Sequence, residues 1–315
     1  MNEQDKSINR LKYQKGVVSY EGKSGVPYKW MMHENKGWFE NAKRIQGDDW
    51  YWASDKAPEI TYVLDDLGFR NDRNIEEVSK NPNWWLIDGA CPCLGPGIDK
   101  ARTTPALIEQ YTDIKVYDIS LFGVRPEFQI GNLLELSKRW INPPKRVLLL
   151  LPENPTGTFQ LTDDDKIMNI DYAGATLRNT PEFNFFKDFE EQKISEGQHR
   201  YFIKTTIKLC EVLNLPLTWL FVGKVADHSP VHYMENQDIL YHEHASIMHS
   251  NSKDTYEDRI MKIKKGAVPP MRNGVKASGV DIDDVGRDLF HPGLEPHKLF
   301  AQKICNHFLE TKRNF

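Results

Sequence analysis

Residues 288–301 read Asp288-Leu-Phe-His291-Pro-Gly-Leu-Glu-Pro-His297-Lys-Leu-Phe-Ala301. An Asp stands three residues before a His, and the Pro-Gly and amphipathic run that follow predict a helix over 294–310. An Asp so placed can hold one imidazole nitrogen while the other nitrogen faces a reaction centre, as in Ser-His-Asp systems. The stretch therefore predicts a general base, His291, and the residue that orients it, Asp288.

Two further stretches lie far upstream. One is Tyr62-Val-Leu-Asp-Asp-Leu-Gly68-Phe-Arg70, and the other is Trp84-Trp-Leu-Ile-Asp-Gly89-Ala-Cys91-Pro-Cys93-Leu-Gly95. Together with residues 288–301 they resemble the blocks of SGNH/GDSL hydrolases, which read roughly Y-x-x-N-x-x-G-F-R, then G-D-S-x-T-x-G, and finally D-x-x-H-P-G followed by His and Ala. Aligning the glycines of the second block sets Cys91 on the position of the nucleophilic Ser.

The resemblance implies a complete catalytic site. Cys91 is the expected nucleophile, with His291 and Asp288 as its partners. The oxyanion donors would be the N–H of Cys91 itself, Gly123 after the second strand and Asn154 after the third. Each donor of this kind stabilises a transition state by roughly 3–4 kcal/mol.

Pro92 separates this interpretation from an α/β-hydrolase. In that fold the residue after the nucleophile donates its backbone N–H to the oxyanion hole, and proline has none. In the SGNH arrangement the nucleophile's own N–H donates, and proline suits the first position of a helix. The chain order, with the nucleophile early and the Asp and His late, also favours the SGNH arrangement.

Two departures from the family pattern lie at the nucleophile position and directly before it. Ala90 replaces the Asp of the second block, and Cys91 replaces the Ser. A thiolate is a strong nucleophile and a thioester is a good acyl donor, so a Cys-His-Asp site could hydrolyse esters or transfer acyl groups. The expected substrates are small-molecule or glycan acyl esters. The same departures are typical of a domain that has lost activity, so the alternative hypothesis is a silent SGNH-like binding or structural module, for example in a viral or oligomeric assembly.

The apolar pattern predicts an α/β fold. Short apolar runs at Trp84–Ile87, Lys115–Ile119, Val147–Leu151 and Leu217–Val222 alternate with helical stretches at 104–111, Gly131–Ile141 and Arg200–Leu213. Helices between continuous apolar strands indicate a parallel sheet that is covered on both faces. The expected architecture is a three-layer α/β/α SGNH-like (flavodoxin-like) sheet, with one more strand around Ile60–Leu64.

The domain prediction has two parts. Residues 1–57 are expected to form an N-terminal arm and cap, and residues 58–315 the SGNH-like α/β domain. Two long polar intervals, 155–198 and 224–286, are predicted to be insertions, because connections of that length usually carry function or belong to an interface.

The charge and composition of the chain limit the kinds of binding partner and the cellular location that can be expected. A formal net charge of −4 gives no electrostatic reason to expect nucleic acid or an anionic membrane. No apolar run approaches the length of a membrane span, and the polar N-terminus lacks a signal-peptide pattern. A cytoplasmic location is expected, with a viral particle as an alternative.

The catalytic hypothesis requires no cofactor and no metal. A weaker hypothesis uses Cys93, with Cys91 as a redox partner or with histidines of the second insertion as metal ligands. These histidines are His228, His232, His242 and His244. A disulfide between Cys91 and Cys93 would be strained, and zinc sites usually space their cysteines more widely.

Overall fold

The structure is a computed structural model of the 315-residue chain. It describes residues 7–8, 11–31, 34, 36–46, 51–89, 93–121, 126–150, 157–161, 166–171, 194–222, 234, 237–242, 287 and 293–311.

The elements below are numbered in chain order. The strands are β1 (Ser7–Ile8), β2 (Leu11–Gln14), β3 (Val17–Tyr20), β4 (Trp30–Met31), β5 (Trp84–Asp88), β6 (Lys115–Asp118), β7 (Arg146–Leu150), β8 (Gly157–Leu161), β9 (Lys166–Asp171), β10 (Leu217–Val222) and β11 (Asp238–His242). The helices are α1 (Lys36–Gln46), α2 (Ile75–Val78), α3 (Thr104–Tyr111), α4 (Pro126–Leu136), α5 (Ile194–Val212) and α6 (Leu294–Thr311).

A five-stranded parallel sheet forms the centre of the molecule. Its strands lie in the order β11-β10-β7-β5-β6. The chain therefore begins the sheet at β5, moves to the edge with β6, and then crosses back to β7. In open α/β sheets of this order, ligands bind outside the carboxyl ends of the strands at the point where the direction reverses. Here that point lies between β5 and β7.

Helices cover both faces of this sheet. Trp84 and Leu86 of β5 belong to a core cluster on one face, which also contains residues of α4 and α5. Trp85 and Ile87 belong to a cluster on the other face, which contains residues of α3 and α6. Successive side chains of a strand point to opposite faces, so a strand buried on both faces must be apolar throughout. The predicted three-layer α/β/α class is confirmed by this arrangement.

A second, antiparallel sheet has the strand order β3-β2-β9-β8. Its hairpin β2–β3 turns at Lys15 and Gly16, whose φ angles of 50° and 85° fit the tight two-residue turns of hairpins. The hairpin is fixed to α4 by Asn132, whose side chain both accepts from Val18 N and donates to Val18 O at 2.8 Å.

The structure differs from the sequence-based expectations at several places. The helix expected over Gly131–Ile141 begins and ends five residues earlier, as α4 (Pro126–Leu136). Around Ile60–Leu64 it forms a single bridge, Tyr28 with Tyr62, where a strand was expected. β11 lies inside the interval 224–286, and β8 and β9 lie inside 155–198, both expected to be insertions. The apolar part of β11 is only Ile239-Leu-Tyr, too short to stand out from its polar surroundings.

The N-terminal part, expected to be an arm and cap over 1–57, contributes directly to the core. Val17, Tyr20 and Met31 are buried in the same cluster as the central strands. Among the described residues, no helix is both long and apolar enough to cross a bilayer.

Candidate active site

The five predicted site residues, Cys91, Gly123, Asn154, Asp288 and His291, lie outside the described ranges. Their chain neighbours are described, and these neighbours define the surroundings of the candidate site. They are the turn that follows β5, the loop 94–98, Arg287, and the first turn of α6.

The chain turns sharply at Gly89, directly after β5. Its N–H donates to Ser120 Oγ at 2.8 Å, and its carbonyl accepts from Cys93 N at 3.3 Å, as in one turn of an α-helix. A Cβ on Gly89 would lie 1.9 Å from Cys93 Sγ, so no larger residue fits without a shift. Ser120 is held in turn by Asp118, which accepts from Ser120 N at 2.9 Å. The end of β5 and the end of β6 are thereby joined two residues before Cys91 in the chain.

Arg70 holds the loop that follows this turn. Its guanidinium is buried and donates to three carbonyls, those of Leu94 (2.7 Å), Gly95 (2.7 Å) and Ile98 (2.8 Å). It also lies over the ring of Tyr62, 4.4 Å from the centroid. A planar group with several fixed donors suits converging carbonyls, which a lysine could not satisfy in the same way. The last residue of the block 62–70 therefore shapes the loop after the candidate nucleophile.

The remaining residues of that block have structural roles. Asp65 accepts from the N–H groups of Leu67 and Phe69, both at 3.0 Å, and so closes a local turn. Its second oxygen accepts from Tyr117 Oη at 2.6 Å and from Asn71 Nδ2 at 3.1 Å. Burial raises the pKa of Asp65, although these hydrogen bonds act in the opposite direction.

Gly97 is the point where the loop meets two other segments. Its N–H donates to Tyr62 Oη at 2.8 Å, and its carbonyl accepts from Arg287 N at 2.7 Å. Gly97 has a φ of 76°, a conformation that L side chains rarely adopt. Arg287 directly precedes Asp288, so the chain leading into the predicted Asp-His pair is bonded to the loop that follows Cys91.

The helix after the predicted pair is fixed to the same region. His297 is buried, and its Nδ1 accepts from the N–H of Thr104, the first residue of α3, at 2.9 Å. An accepting Nδ1 places the ring proton on Nε2, so this imidazole is neutral. His297 therefore connects α6 to the start of α3, and it is the second His of the block 288–301.

The described cysteines are poor nucleophiles. Burial, with the nearby charges of Asp118 and Asp88, raises the pKa of Cys93 well above its usual range. Burial also raises the pKa of Cys210 to about 12 and that of Cys305 to about 11. A thiol must ionise to react quickly, so these three side chains are expected to be inert at neutral pH.

The metal hypothesis rests on histidines whose side chains lie outside the described ranges. Within those ranges, no group of three or more His, Cys, Asp or Glu side chains is placed to hold a metal ion.

A cavity of about 500 Å³ opens beside the carboxyl end of β6. Arg70, Lys100 and Asp118 line it, together with residues of α3. Burial lowers the pKa of Lys100 and raises that of Asp118, because each charged form loses hydration. Lys100 is paired with Asp72 at 3.0 Å. The cavity can therefore offer both hydrogen-bond donors and acceptors to a polar molecule.

Sequence analysis missed Ser120, Arg70 and Arg287 as supports of the site. A signal for Arg70 was present, because it ends the block 62–70 that resembles a family motif. Ser120 and Arg287 have no local signal, since their partners Gly89 and Gly97 are distant in sequence.

Comparison with known proteins gives distant structural neighbours. No protein-family model and no curated protein matches the chain. Among solved structures, the chain is similar to the psychrotrophic esterase EstA from Pseudoalteromonas sp., with 12% identity and a TM-score of 0.38 over 73% of this chain and 99% of that one. It is also similar to a putative lipolytic protein of the G-D-S-L family from Desulfitobacterium hafniense DCB-2, with 11% identity and a TM-score of 0.35 over 70% and 97%. A third neighbour, TesA, has 12% identity and a TM-score of 0.35 over 70% and 96%.

The fold class of this chain rests on its own sheet order and its two helical layers, since such distant likeness assigns no activity.

Proposed function

We propose that this protein is an SGNH-like acyl-ester hydrolase or acyltransferase with Cys91 as nucleophile, His291 as general base and Asp288 as the residue that orients His291. One observation carries the proposal: the described neighbours of both segments meet at one loop, through the 2.7 Å hydrogen bond from Arg287 N to Gly97 O. Cys91 lies six residues before Gly97, and Asp288 follows Arg287. This loop lies at the carboxyl end of β5, where open α/β sheets bind ligands.

The turn after β5 supports Cys91 as the nucleophile. The helical hydrogen bond from Cys93 N to Gly89 O spans the position of Cys91. A thiol at the beginning of a helical turn faces unpaired backbone N–H groups, which favour the thiolate. The same N–H groups would stabilise the oxyanion of an acyl-transfer intermediate, with Gly123 and Asn154 as further donors.

The reaction would run in two steps. The Cys91 thiolate attacks the ester carbonyl carbon, a C–S bond forms, and the C–O bond breaks as the alkoxide takes a proton from protonated His291. His291 then removes a proton from water, or from an acceptor alcohol or amine, which attacks the thioester and restores the thiolate. Hydrolysis and transfer differ only in this second nucleophile.

The cavity beside the carboxyl end of β6 supports a small substrate. Its volume of about 500 Å³ falls within the range of roughly 300–1,000 Å³ that small-molecule sites occupy. Its lining offers paired charges, and Val78, Leu94 and Pro105 add apolar patches. We therefore favour a small polar ester, or the acylated end of a glycan, as the substrate.

The test is the rate of thiol modification across pH, measured together with the turnover of p-nitrophenyl acetate. Because the three described thiols are buried, a small probe should report mainly on Cys91. Cys91→Ala supplies the blank and Cys305→Ala the matched control. Fast labelling below pH 7 that slows in His291→Ala, with turnover lost in both Cys91→Ala and His291→Ala, is the expected result.

Slow labelling that is indifferent to His291, without turnover, would favour the silent SGNH-like module. In that case Cys91 is a structural residue, and the domain serves binding or assembly.

A further inference from the structure

Arg287 is held by two segments of the chain at once, the loop at Gly97 and the N-terminal segment 29–34. Besides its main-chain bond to Gly97, its Nε donates to Glu34 Oε1 at 2.8 Å and its Nη2 donates to the carbonyl of Lys29 at 2.7 Å. The guanidinium also lies over the ring of Trp30, 4.5 Å from the centroid. A residue fixed at so many points can adopt one position only, because Arg presents its donors in a rigid plane.

Glu34 joins this residue to the loop after Cys91 by a second route. Its carboxylate is buried, accepts from Arg287, and also accepts a short hydrogen bond from Tyr62 Oη. Tyr62 Oη in turn accepts from the N–H of Gly97. Glu34, Tyr62, Gly97 and Arg287 form a closed ring of hydrogen bonds, named here the Glu34 cluster.

The burial of the Arg287–Glu34 ion pair is not in itself a source of stability. The side chains of the Arg287–Glu34 pair are only 10% and 2% exposed. Burying an ion pair removes hydration that its mutual attraction barely restores, and apolar residues often stabilise such a position as well or better. What an ion pair with several hydrogen bonds does supply is one defined geometry.

The geometry of the Glu34 cluster affects both parts of the proposed site, the loop after Cys91 and the segment that leads into Asp288. Gly97 belongs to the loop that follows Cys91, and Arg287 is bonded covalently to Asp288. Consecutive Cα atoms lie about 3.8 Å apart, so a shift of Arg287 is passed directly to Asp288. In catalysis, a misplacement of about 1 Å can reduce the rate by about 100-fold.

We propose that Glu34, Tyr62 and Arg287 are positioning residues, which set the Asp288–His291 pair against Cys91 and make the N-terminal segment 29–34 necessary for catalysis. The inference rests on the function proposed above. It adds to that function a part of the chain that the catalytic blocks do not include.

The test compares two conservative variants with a matched control. Arg287→Lys keeps the charge and the main-chain N–H but loses the planar donors, and Glu34→Gln keeps the shape but loses the charge. Arg146→Lys is the control, because Arg146 also pairs with a carboxylate, that of Asp238 at 3.1 Å, and lies over an aromatic ring, but at the amino ends of the strands and with greater exposure. Thermal unfolding of each variant identifies any that fails to fold.

We expect kcat for p-nitrophenyl acetate to fall by about 10- to 100-fold in Arg287→Lys and Glu34→Gln, with KM changed by less than about threefold. The pH at which Cys91 labelling accelerates should rise in both variants, because a displaced His291 no longer favours the thiolate. The double variant should have a kcat no lower than that of the less active single variant, because both changes break the same connection. Arg146→Lys should keep the wild-type kcat and labelling profile.

Folded Arg287→Lys and Glu34→Gln variants with wild-type kcat and labelling would overturn the inference, as would losses equal to those of Arg146→Lys. If Cys91 labelling in the wild type does not depend on His291, the proposed function is wrong, and the inference fails with it. If Cys91 labelling in the wild type depends on His291 but Arg287→Lys and Glu34→Gln leave kcat and labelling unchanged, only the inference is wrong. The two failures are therefore distinguishable.

Discussion

At Gly89 a larger residue is excluded by a steric clash and not by the backbone conformation. A Cβ there would meet the Cys93 side chain at 1.9 Å. We expect Gly89→Ala to destabilise the protein by about 1–3 kcal/mol or more, as overpacking does in a filled core. The measurement is urea unfolding followed by circular dichroism.

Gly131 provides the matched control. It lies on α4 with no atom near the place of an added Cβ. Gly131→Ala should stabilise the protein by about 0.5–1 kcal/mol, because alanine restricts the unfolded chain. Equal effects of the two substitutions would contradict the assigned role of Gly89.

Asp65 should make stability depend on pH. Burial raises its folded-state pKa, so the folded protein holds this proton more tightly than the unfolded chain does. Stability is then greatest below the unfolded pKa, about 3.9 for Asp, and is lost as pH rises through the folded pKa. Asp65→Asn cannot ionise, so the unfolding free energy of the wild type relative to this variant should decrease as pH rises from 4 to 8.

Urea unfolding of both proteins at several pH values measures this difference. A difference that is constant, or that grows in favour of the wild type at higher pH, would contradict the assignment. Asp118, whose pKa burial also raises, is unchanged in both proteins and cancels in the comparison.

At the scale of elements, His297 and His307 on α6 allow a comparison of one substitution in two environments. His297 is buried and accepts from the first N–H of α3, whereas His307 pairs with Asp238 at 2.8 Å near the surface. We expect His297→Ala to cost about 1–3 kcal/mol, because it leaves a buried donor without its acceptor. His307→Ala should cost less than about 1 kcal/mol, because the contact between these two partly exposed side chains competes with water.

Thermal and urea unfolding of the two variants provide the measurement. A larger loss in His307→Ala would mean that the contact between α6 and α3 is not fixed by His297. Partial rescue of His297→Ala by Asn, which offers another acceptor, would support the assigned hydrogen bond.

The elements differ in how well the sequence predicted them. β5, β6, β7 and β10 were predicted to within one or two residues, because each is a continuous apolar run between polar turns. β11 and the pair β8–β9 were missed, because each is a short run in which polar and apolar residues are mixed. A strand was expected around Ile60–Leu64, but this segment forms only the single bridge of Tyr62 with Tyr28. The hydrogen bonds of residues 62–70 instead close the turn at Asp65 and hold the loop after β5.

The candidate site was predictable only where it resembles a family block. Such blocks gave the positions of Cys91, Asp288 and His291, which stay predictions. The residues that support the region contact partners far away in the chain, as Arg287 contacts Gly97 and Ser120 contacts Gly89. Local patterns carry no information on such pairs.

At the scale of the whole molecule, the N-terminal hairpin β2–β3 should be indispensable. Val17, Val18 and Tyr20 are buried, and burial of each such side chain contributes about 1.5–3 kcal/mol. Their sum is a large share of the roughly 5–15 kcal/mol that stabilises a typical domain. We expect deletion of residues 1–20 to abolish a cooperative thermal transition or to lower its midpoint steeply.

Tyr13→Ala is the control for that deletion, since Tyr13 lies in the same hairpin and is 51% exposed. Circular dichroism melting of the two variants measures the effect. A truncated protein with the midpoint of the full chain would show that the hairpin is an appendage.

The position of α6 has a consequence for biosynthesis. Phe300, Ile304 and Phe308 of this helix complete the cluster on one face of the central sheet. On the ribosome, that face can be covered by α3 but not by α6 until residues 294–311 have emerged, although the five strands of the sheet have been translated before them. Exposed apolar surface on a nascent chain attracts chaperones and aggregates readily. A translation stall shortly before residue 294 should therefore yield a chaperone-bound intermediate in which the strands of the sheet have formed but one face of the sheet is not fully covered.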